Sequence, residues 1–595
     1  MREQLIKLRE AMQRHGVDIC YIPTDDFHSS EYVGSYFKAR AYVSGFTGSA
    51  GTLIVTKDWA GLWTDGRYFL QASMQLEGSG IELCKMSEPG VPTIEEYLEK
   101  ELGEGTKLAF DGRTVNTKQY QHFKELAEKK GAALVTDVDL AGEIWTDRPA
   151  LSAEPVFEFS AELVGKSRAD KLADVREALK KEGADCLILA SLMDICWLMN
   201  IRGNDVACTP VVLSFAAVTA DEAVLFINPD VLSEEIRAHL SADGVTFQPY
   251  ENIYRYVRAL PSMCTVMMNL HVVNSAIYTA VPANVTVLDR KDPTELPKAA
   301  KNPTEVENMR KAHIKDGVAV TRLMYWLKHQ IGKEPMTELS VAEKLEGLRK
   351  EQEGYIEPSF SPIVGWGPHG AIIHYSATEE SNVPVQPSSF LLADTGGHYM
   401  EGTTDITRTF AMGPLTDEEK KFYTMVLRSH LRLGNVHFRY GCTGANLDYA
   451  AREPFWAENL DYNHGTGHGV GYVLGVHEGP QAFRWRKTDK TSTAVLEPGM
   501  ITSDEPGIYL EGKFGVRLEN LTVVVEGVTN SYGRFLHLEY LTMVPFDLDA
   551  IDLSLMSPEE IRLLNAYHAQ VREKLLPYFS GDEAEWLKYA TREVG

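Results

Sequence analysis

The start of the chain alternates in a helical pattern and then in a strand pattern. Leu5, Leu8 and Met12 recur at intervals of three and four, which places them on one face of an amphipathic helix. The run ICYIPT that follows predicts a strand. Beyond it, GTLIVTKDWAGLWTDGRYF predicts a β-hairpin with its turn at Asp65-Gly66. The order of these elements indicates an α/β domain.

The same pattern returns 167 residues later. LREAMQRHGVD at 8–18 aligns with VREALKKEGAD at 175–185, and the two segments share an Arg-Glu-Ala triplet, a glycine and an aspartate. The β-rich runs CLILA, VVLSFAAV and AVLFI follow, the last two around a turn at Asp221. A chance match is the alternative. We expect two related α/β domains in tandem.

A boundary follows at KNP, residues 301–303. Thr304 and Glu307 have capping-box spacing and predict a long helix that ends near Gln330. Because a chain of 595 residues is too long for one core, we expect three domains. Two are α/β domains at 1–145 and 146–303, and the third covers 304–595.

The third domain ends in a predicted helical tail that starts at about residue 551. Ser557, Pro558 and Glu560 form a helix start. We expect the tail to pack on the third domain, with a dimer contact as the alternative. Its apolar face consists of Leu563, Leu564, Tyr567 and Trp586.

Composition narrows the class of protein. A hydrophobic content of 44% and a charged content of 24% are ordinary for a globular enzyme. The net charge of −25 argues against nucleic acid and anionic membranes as partners, since both require a basic face. The most apolar window, 186–201, contains Asp194 and Asn200 and falls short of a membrane span. The N-terminal helix is not a signal peptide.

The cysteines indicate a reducing compartment. Their number, seven, is odd and no CxxC spacing occurs, so no disulfide framework is expected. We therefore expect a cytoplasmic protein. Four of the cysteines lie in apolar surroundings and are predicted to be small buried hydrophobic residues. These are Cys186, Cys196, Cys208 and Cys264.

The candidate chemistry begins at residues 390–413. Apolar and β-branched runs at 390–393 and 403–410 flank a glycine-rich turn and predict two adjacent strands. Asp394 and Asp405 lie near the facing ends of these strands. Carboxylates inside an apolar strand pair are costly unless a cation neutralises them. The pair therefore predicts a metal site.

Further candidate ligands follow along the chain. His464 and His468 lie in NHGTGHGVG, Glu505 lies in SDEPGIY, and Glu519 precedes a strongly β-type run. Four carboxylates with an imidazole form a mostly hard-oxygen set that suits Mn²⁺, Co²⁺ or Zn²⁺. Bridging carboxylates favour two ions about 3.5–4 Å apart.

These motifs carry a family resemblance. DTGGHYMEGTTDITRT, HGTGHGVG, VHEGP, SDEPGIY and GVRLEN, in this order, resemble the "pita-bread" metallopeptidases, and most of all the long, three-domain aminopeptidase P family. The resemblance covers essentially the whole chain. It implies an α/β (α+β) fold in which two tandem creatinase-N-like α/β domains precede a pita-bread catalytic domain with a helical C-terminal tail.

The resemblance also implies roles for the five ligands. Asp394 is expected to bind one ion and Asp405 to bridge two, while His468 and Glu505 bind the second ion and Glu519 forms the second bridge. Two divalent ions are implied, with Mn²⁺ favoured and Zn²⁺ or Co²⁺ as alternatives. Glu505 is also the expected general base, which passes a proton to the leaving proline nitrogen.

Other residues of the family pattern match positions around the site. His374, His464 and His477 are expected to line it, to bind the peptide, and in the case of His374 and His477 to stabilise the tetrahedral oxyanion. Arg517 is expected to support the metal-binding carboxylates and the substrate. Its spacing from Glu519 predicts that both side chains share one strand face. The alternatives are structural histidines and a surface ion pair.

Three further residues stay open. Tyr509 is a candidate for a hydrogen bond near the site. Trp366 differs from the smaller residues that the long enzymes tend to carry, and it either walls the pocket or packs outside it. His369 has no assigned role.

The resemblance implies an Xaa-Pro aminopeptidase that acts on peptides with proline second, as a homodimer. Proline fixes φ and lacks an N–H, so a dedicated pocket is needed for it. One alternative is a prolidase, which cleaves Xaa-Pro dipeptides only. The other is a non-catalytic pita-bread module that binds peptides.

Overall fold

The computed structural model describes residues 1–486 and 494–595. The chain forms two compact units, one comprising residues 1–161 and 166–294 and the other residues 162–165 and 295–595. The domain limits predicted at 145 and 303 remain predictions. Among the described residues, no helix is both long and apolar enough to cross a membrane.

The first unit opens with the predicted amphipathic helix, which buries Leu5, Leu8 and Met12 and ends at Gly16 in the left-handed region (φ 61°). A six-stranded sheet follows. Its strands are β1 (Ile19–Pro23), β2 (Thr52–Thr56), β3 (Ala60–Thr64), β4 (Glu82–Lys85), β5 (Lys107–Ala109) and β6 (Ala133–Val135). The helices are α1 (Glu3–His15), α2 (Ala39–Ser44), α3 (Phe69–Gln75), α4 (Ile94–Glu101), α5 (Thr117–Lys130) and α6 (Leu140–Ile144).

The predicted hairpin exists, but its turn lies elsewhere. Strands β2 and β3 pair antiparallel and reverse between Thr56 and Trp59, whose backbone groups bond to each other. The prediction of a turn at Asp65-Gly66 was wrong. Asp65 follows β3, and its carboxylate accepts a hydrogen bond from the backbone of Arg67 at 3.1 Å. That local cap leads the chain towards α3 instead of back along the sheet.

The second half of this unit repeats the plan. Its strands are β7 (Phe157–Glu158), β8 (Cys186–Leu189), β9 (Ile201–Arg202), β10 (Ser214–Thr219), β11 (Ala223–Ile227), β12 (Val245–Gln248), β13 (Thr265–Met268) and β14 (Thr286–Asp289). Helix α7 (Ala161–Val164) belongs to the second unit except for its first residue. The helices of this half are α8 (Arg168–Glu182), α9 (Leu192–Met199), α10 (Glu234–Ala242), α11 (Ile253–Arg258) and α12 (Ser275–Thr279).

The two sheets have the same topology. The first has the order β4-β3-β2-β1-β5-β6 and the second the order β12-β11-β10-β8-β13-β14. In each sheet the second, third and fourth strands pair antiparallel and the outer pairings are parallel. The tandem α/β prediction from the sequence repeat is confirmed.

One of the cysteine predictions was wrong. Cys186, Cys196 and Cys264 are buried as expected, but Cys208 is partly exposed. It lies in the loop after β9 with φ at 59°, outside the regular helices and strands. All seven cysteines are free thiols.

The second unit contains several small sheets surrounded by helices. Its strands are β15 (Tyr355–Pro358), β16 (Ile363–Trp366), β17 (Phe390–Thr395), β18 (Gly397–Tyr399), β19 (Gly402–Thr403), β20 (Ile406–Ala411), β21 (His437–Arg439), β22 (Gly467–His468), β23 (Ala482–Phe483), β24 (Ile501–Asp504), β25 (Gly507–Leu510), β26 (Phe514–Arg517), β27 (Asn520–Asn530) and β28 (Gly533–Tyr540). Its helices are α13 (Glu295–Ala299), α14 (Pro303–Gln330), α15 (Glu338–Lys350), α16 (Asp417–Gly434), α17 (Gly444–Trp456), α18 (Pro558–Leu575) and α19 (Gly581–Ala590).

The sheets that carry the candidate site are short. Strands β16, β17 and β20 form one sheet, and β21, β28, β27 and β24 form another. The hairpins β22-β23 and β25-β26 are separate two-stranded pairs. Short pairs of this kind expose strand ends, where side chains from distant parts of the chain can meet.

The long helix α14 ends at Gln330 as predicted but starts earlier than predicted. Its N-cap is Asn302, whose side chain accepts hydrogen bonds from the backbone of Thr304 and Glu305. The Glu305 carboxylate bonds back to the Asn302 backbone and completes a capping box. The predicted Thr304–Glu307 box was therefore wrong, because Pro303 occupies the first helical position.

The C-terminal tail packs as predicted. Ser557 and Glu560 form the capping box of α18. Leu564 and Tyr567 are buried in the core of the second unit. Trp586 from α19 contacts Tyr325 of α14 edge to face, with ring centroids 5.5 Å apart. The tail therefore contributes to the core of this unit.

A buried charge triad anchors the start of the second unit. The ammonium groups of Lys298 and Lys301 lie 3.1 and 2.6 Å from the carboxylate of Glu478, and all three side chains are at most 4% exposed. Burial opposes ionisation, but the two lysines hold the pKa of Glu478 below its ordinary value. The segment 295–301 is thus tied to the interior, next to His477.

Candidate metal centre

Strands β17 and β20 bring the two aspartates to one place. They pair antiparallel, with Asp394 opposite Thr407, so Asp405 just before β20 lies at the same end. Both carboxylates are buried, with 7% and 4% exposure. The predicted strand at 403–410 is interrupted after Thr403 and resumes at Ile406. The expected meeting of the two aspartates at one end of the hairpin agrees with this register.

His468 reaches the same place from β22. Its Nε2 lies 3.4 Å from Asp405 Oδ2 and 3.5 Å from Glu505 Oε1. Its Nδ1 lies 3.0 Å from the carbonyl oxygen of Gly469. Because a carbonyl only accepts, Nδ1 carries the proton and Nε2 presents a lone pair to the carboxylates. This tautomer suits a metal ligand.

Glu519 completes the cluster. One ligand atom from each of Asp405, His468 and Glu519 lies within 4.8 Å of the other two. The hydroxyl of Thr407 donates a hydrogen bond to Glu519 Oε2 at 2.7 Å. Glu519 Oε1 is buried and has no hydrogen-bond partner in the described part of the chain. The side chain is therefore oriented by one oxygen and presents the other.

The carboxylates of the cluster are buried and lie close together, and both conditions make their ionisation costly. Burial and the neighbouring charge of Asp394 raise the pKa of Asp405 to about 8. Burial, and after it the neighbouring charge of Asp405, raises the pKa of Glu505 to about 7. Burial, Asp405 and Glu505 raise the pKa of Glu519 well above its usual range. A cation would remove this cost.

The donor set fits divalent cations. Asp394 Oδ1 and Glu519 Oε1 are buried acceptors without hydrogen-bond donors among residues 1–486 and 494–595. Oxygen acceptors beside an unprotonated imidazole nitrogen are typical ligands of Mn²⁺, Co²⁺ or Zn²⁺. A bound cation would compensate the charge of these buried acceptors.

Arg517 borders the cluster. Its Nη2 and Nε donate to Asp394 Oδ2 at 2.6 and 3.2 Å, and its Nη1 donates to the hydroxyl of Tyr509 at 2.7 Å. Nη2 also lies 3.3 Å from the carbonyl oxygen of Ile373. Arg517 is 2% exposed. One guanidinium thus connects three separate segments around the site.

A directed hydrogen-bond chain leads from Arg517 to His464. The hydroxyl of Tyr509 lies 2.9 Å from His464 Nε2, and His464 Nδ1 lies 2.7 Å from the carbonyl oxygen of Gly465. Nδ1 therefore carries the proton, and Nε2 accepts from Tyr509. Burial and Arg517 lower the pKa of His464 to about 3. The imidazole is neutral, and both its nitrogens are engaged.

Family models match nearly all of the chain, one after another along the sequence. Metallopeptidase family M24 matches residues 307–526, and the C-terminal region of peptidase M24 matches 534–594. The creatinase/prolidase N-terminal domain matches twice, over 4–149 and 147–305. The double match agrees with the duplicated sheet topology.

Full-length relatives identify the family. A probable Xaa-Pro aminopeptidase P from Laccaria bicolor is 38% identical, over 98% of this chain and 92% of that protein. The crystal structure of the X-prolyl aminopeptidase from Caenorhabditis elegans, a cytosolic enzyme with a di-nuclear active site, superposes with a TM-score of 0.94. It is 33% identical and covers 100% of this chain and 99% of its own. The chain belongs to the aminopeptidase P family.

Prolidases share only part of the aminopeptidase P architecture. The Xaa-Pro dipeptidase from Bacillus anthracis covers 64% of this chain and 99% of its own, with a TM-score of 0.52 and 24% identity. That likeness concerns the fold alone. As a member of the aminopeptidase P family, the chain is a metallopeptidase with two creatinase-type N-terminal domains, as the motifs predicted.

One local prediction about the aminopeptidase P site was wrong. Arg517 and Glu519 do not share a strand, because β26 ends at Arg517 and β27 begins at Asn520. The backbone of Glu519 donates instead to the carbonyl of Thr407 on β20 at 3.0 Å. The two side chains still approach the cluster, but from the ends of two different strands.

The remaining predicted histidines lie beside the cluster. The ring of His477 lies edge to face with that of His468, with centroids 4.2 Å apart. His477 also lies close enough to Asp405 to oppose the rise of the Asp405 pKa that burial and Asp394 cause. His374 directly follows Ile373, whose carbonyl Arg517 contacts. Eight of the nine predicted site residues are therefore linked through side-chain contacts, and the backbone of the ninth, His374, follows the carbonyl that Arg517 contacts; their roles remain predictions.

Two threonines of the site were missed. Thr407 orients Glu519, and the hydroxyl of Thr409 donates to the carbonyl of Arg517 at 2.9 Å and accepts from its backbone N–H at 3.2 Å. The motif DITRT contains the pattern that identifies them. Positions 405, 407 and 409 alternate along the chain and therefore share one face. Tyr509, an open candidate, connects Arg517 and His464.

Proposed function

We propose that this protein is a metal-dependent Xaa-Pro aminopeptidase, which releases the first residue of peptides that carry proline second. The observation that carries the proposal is the convergence of Asp405, His468 and Glu519 within 4.8 Å, with buried acceptors that call for a cation. Similarity over the full length to Xaa-Pro aminopeptidases supports it.

We propose two divalent ions, held by the five residues predicted from the motifs. Mn²⁺ is favoured, with Zn²⁺ and Co²⁺ as alternatives, because oxygen ligands outnumber nitrogen ligands. Such ions, when bound, lower the pKa of a shared water towards neutrality. The di-nuclear site of the C. elegans enzyme supports the number of ions. The ligands are Asp394, Asp405, His468, Glu505 and Glu519.

The protein's own groups are proposed to move and hold protons. Glu505 receives a proton and delivers it to the leaving proline nitrogen. His374 and His477 donate hydrogen bonds to the scissile carbonyl as it becomes an oxyanion. His464 offers its ring face to the substrate, since both its nitrogens are already engaged. Arg517 fixes Asp394 and closes one side of the proline pocket.

We propose that the protein acts as a homodimer. An exposed aromatic patch, formed by Tyr449, Trp456 and Trp485, supports this proposal. These side chains are 58%, 38% and 42% exposed, and successive ring centroids lie 5.9 and 5.8 Å apart. Contiguous exposed aromatic surface is typical of protein interfaces. Light scattering during size exclusion would give twice the chain mass of 66.4 kDa.

We also propose a cytoplasmic location and the three-domain division at 145 and 303. Seven free thiols suit a reducing compartment, and the C. elegans relative is cytosolic. The consecutive family matches support the division. Fluorescence microscopy of the tagged protein and limited proteolysis test these two proposals.

A peptide panel tests the activity. The metal-free enzyme receives Mn²⁺, Zn²⁺ or Co²⁺ and is assayed on Xaa-Pro, Xaa-Pro-Xaa and Xaa-Ala-Xaa. Turnover of the proline tripeptide but not of its alanine analogue is expected. Activity confined to the dipeptide would identify a prolidase. Peptide binding without turnover under any metal would identify a binding module.

A further inference from the structure

Glu338, outside the predicted site, makes an unusual set of contacts. It is the first residue of α15 and is fully buried. Its Oε1 accepts from the backbone of Trp366 at 2.8 Å and from His369 Nδ1 at 2.9 Å. Its Oε2 accepts from the hydroxyl of Tyr375 at 2.8 Å and from the backbone of Val383 at 3.4 Å. One carboxylate thus binds four donors from the segment 366–383.

These contacts give roles to two residues that the motifs left open. His369 packs against Tyr375 with the rings tilted by 34° and their centroids 4.4 Å apart, and both rings direct polar atoms at Glu338. Trp366 donates its indole N–H to the carbonyl of Ser388 at 3.0 Å. The side chains of His369 and Trp366 therefore fix the segment 366–383 through hydrogen bonds.

The segment carries His374, and it is fixed on both sides of that residue. The carbonyl of Ile373 accepts from Arg517 Nη2 at 3.3 Å. The hydroxyl of Tyr375 donates to Glu338 at 2.8 Å. One anchor belongs to the wall of the metal cluster and the other to a buried helix start. The backbone position of His374 is thus determined relative to Arg517 and Asp394.

We propose that Glu338 is a positioning residue for the peptidase reaction, which acts through Tyr375 and His369 to hold His374 against the scissile carbonyl. The inference rests on the proposed function. Within the described part of the chain, the hydrogen bonds of Glu338 go to the segment 366–383 and not to the proposed metal ligands, so its loss should misplace His374 and leave those carboxylates in place. Small misplacements of a group that stabilises the transition state reduce turnover steeply.

A double-mutant cycle tests this inference with Glu338→Gln and His374→Ala. The glutamine keeps the volume and one acceptor oxygen, but its amide cannot accept from every donor. In the otherwise wild-type enzyme we expect kcat to fall by roughly 10- to 100-fold, with the KM changed far less. In the His374→Ala background the same substitution should change kcat by less than about twofold.

Two further variants sharpen the test. Tyr375→Phe removes one anchor only and should repeat the pattern at smaller amplitude. Glu346→Gln is the matched control, because Glu346 lies on the same helix and accepts from a tyrosine hydroxyl, that of Tyr355, at 2.6 Å. It should leave kcat unchanged. Metal content, measured by mass spectrometry, should equal that of the wild type in all variants.

Each result decides the question. An equal loss of kcat in both backgrounds would mean that Glu338 supports the unit in general and would overturn the inference. Loss of bound metal in Glu338→Gln would overturn it as well. A wild-type enzyme without activity on proline peptides would reject the proposed function itself, which is a distinct outcome.

Discussion

Arg517 donates to a single oxygen of Asp394 from two nitrogens, Nη2 at 2.6 Å and Nε at 3.2 Å. The other oxygen of Asp394 is buried without a hydrogen-bond partner in the described part of the chain. One oxygen of Asp394, Oδ2, is therefore held by Arg517, and the other, Oδ1, remains available to a metal ion. Outer groups that orient a ligand in this way sharpen metal binding.

Arg517→Lys tests that arrangement. A lysine keeps the charge but cannot reach Asp394, Tyr509 and the carbonyl of Ile373 together. We expect kcat/KM to fall by roughly 10- to 100-fold, or about 1.4–2.8 kcal/mol of transition-state stabilisation. Arg534→Lys, in an exposed pair with Glu526, should leave kcat/KM unchanged. Equal kinetics in both variants would contradict the role of Arg517.

Asp405→Asn should abolish turnover and lower metal content. The substitution replaces a carboxyl group whose ionisation is opposed by burial and Asp394, which raise its pKa to about 8, with an amide that never ionises. The metal-free variant should therefore unfold at the same temperature as the metal-free wild type or above it, since repulsion is relieved. Only the wild type should gain stability when Mn²⁺ is added.

Calorimetry and metal analysis check this prediction together. Asp221→Asn, on an exposed turn of the first unit, is the control and should behave like the wild type. Full turnover in Asp405→Asn would exclude a bridging role.

His477→Ala should keep the ions and lose turnover. Its ring contacts that of His468 but is not among the proposed ligands. Removing a hydrogen bond to a developing oxyanion costs roughly 100- to 1,000-fold in kcat. Turnover and metal content measured on one preparation separate the two effects. Loss of metal would move His477 into the ligand set.

His568 should make the second unit less stable in acid. Its Nε2 accepts from the backbone of Phe546 at 3.1 Å, so a proton there would break the bond. Burial, then Arg408 and other arginines, lower its pKa from 6.5 to about 3. A lowered pKa means that the unfolded chain binds the proton first. Stability is complete above pH 6.5 and is lost as the pH falls towards 3.

At pH 5 this single group should cost about 2 kcal/mol relative to pH 7. His568→Gln keeps an acceptor for Phe546 and should reduce the acid loss of unfolding free energy by that amount. Urea unfolding at the two pH values measures it. His271→Gln, an exposed imidazole, is the control. Parallel losses in the wild type and His568→Gln would refute the assignment.

The elements that the sequence predicted well are those with local patterns. The similarity of the segments 8–18 and 175–185 predicted two related domains, and the structure contains two sheets with the same topology. The proximity of Asp394 and Asp405 could be predicted because two adjacent apolar runs pair as antiparallel strands. The candidate ligands could be proposed because they lie in motifs whose order along the chain is characteristic of the family.

Two of the wrong predictions concern a turn and a helix cap, where a different side chain near in sequence forms the hydrogen bond to the backbone. Asp65 bonds to the backbone of Arg67, and Asn302 caps α14 before Thr304 can. The contacts of Glu338 could not be predicted from the sequence for another reason. Its partners lie 28–45 residues further along the chain, and no spacing rule connects a helix start to such donors. Contacts of this range are determined only by the assembled fold.

The Lys298–Glu478–Lys301 triad has a practical consequence for dissecting the protein. A recombinant fragment that begins at residue 304 would contain every catalytic motif but neither lysine. Glu478 would then be an uncompensated anion in the interior beside His477, at a cost of several kcal/mol. An expressible catalytic half must keep both lysines and therefore begin no later than Glu295, where the main segment of the second unit begins.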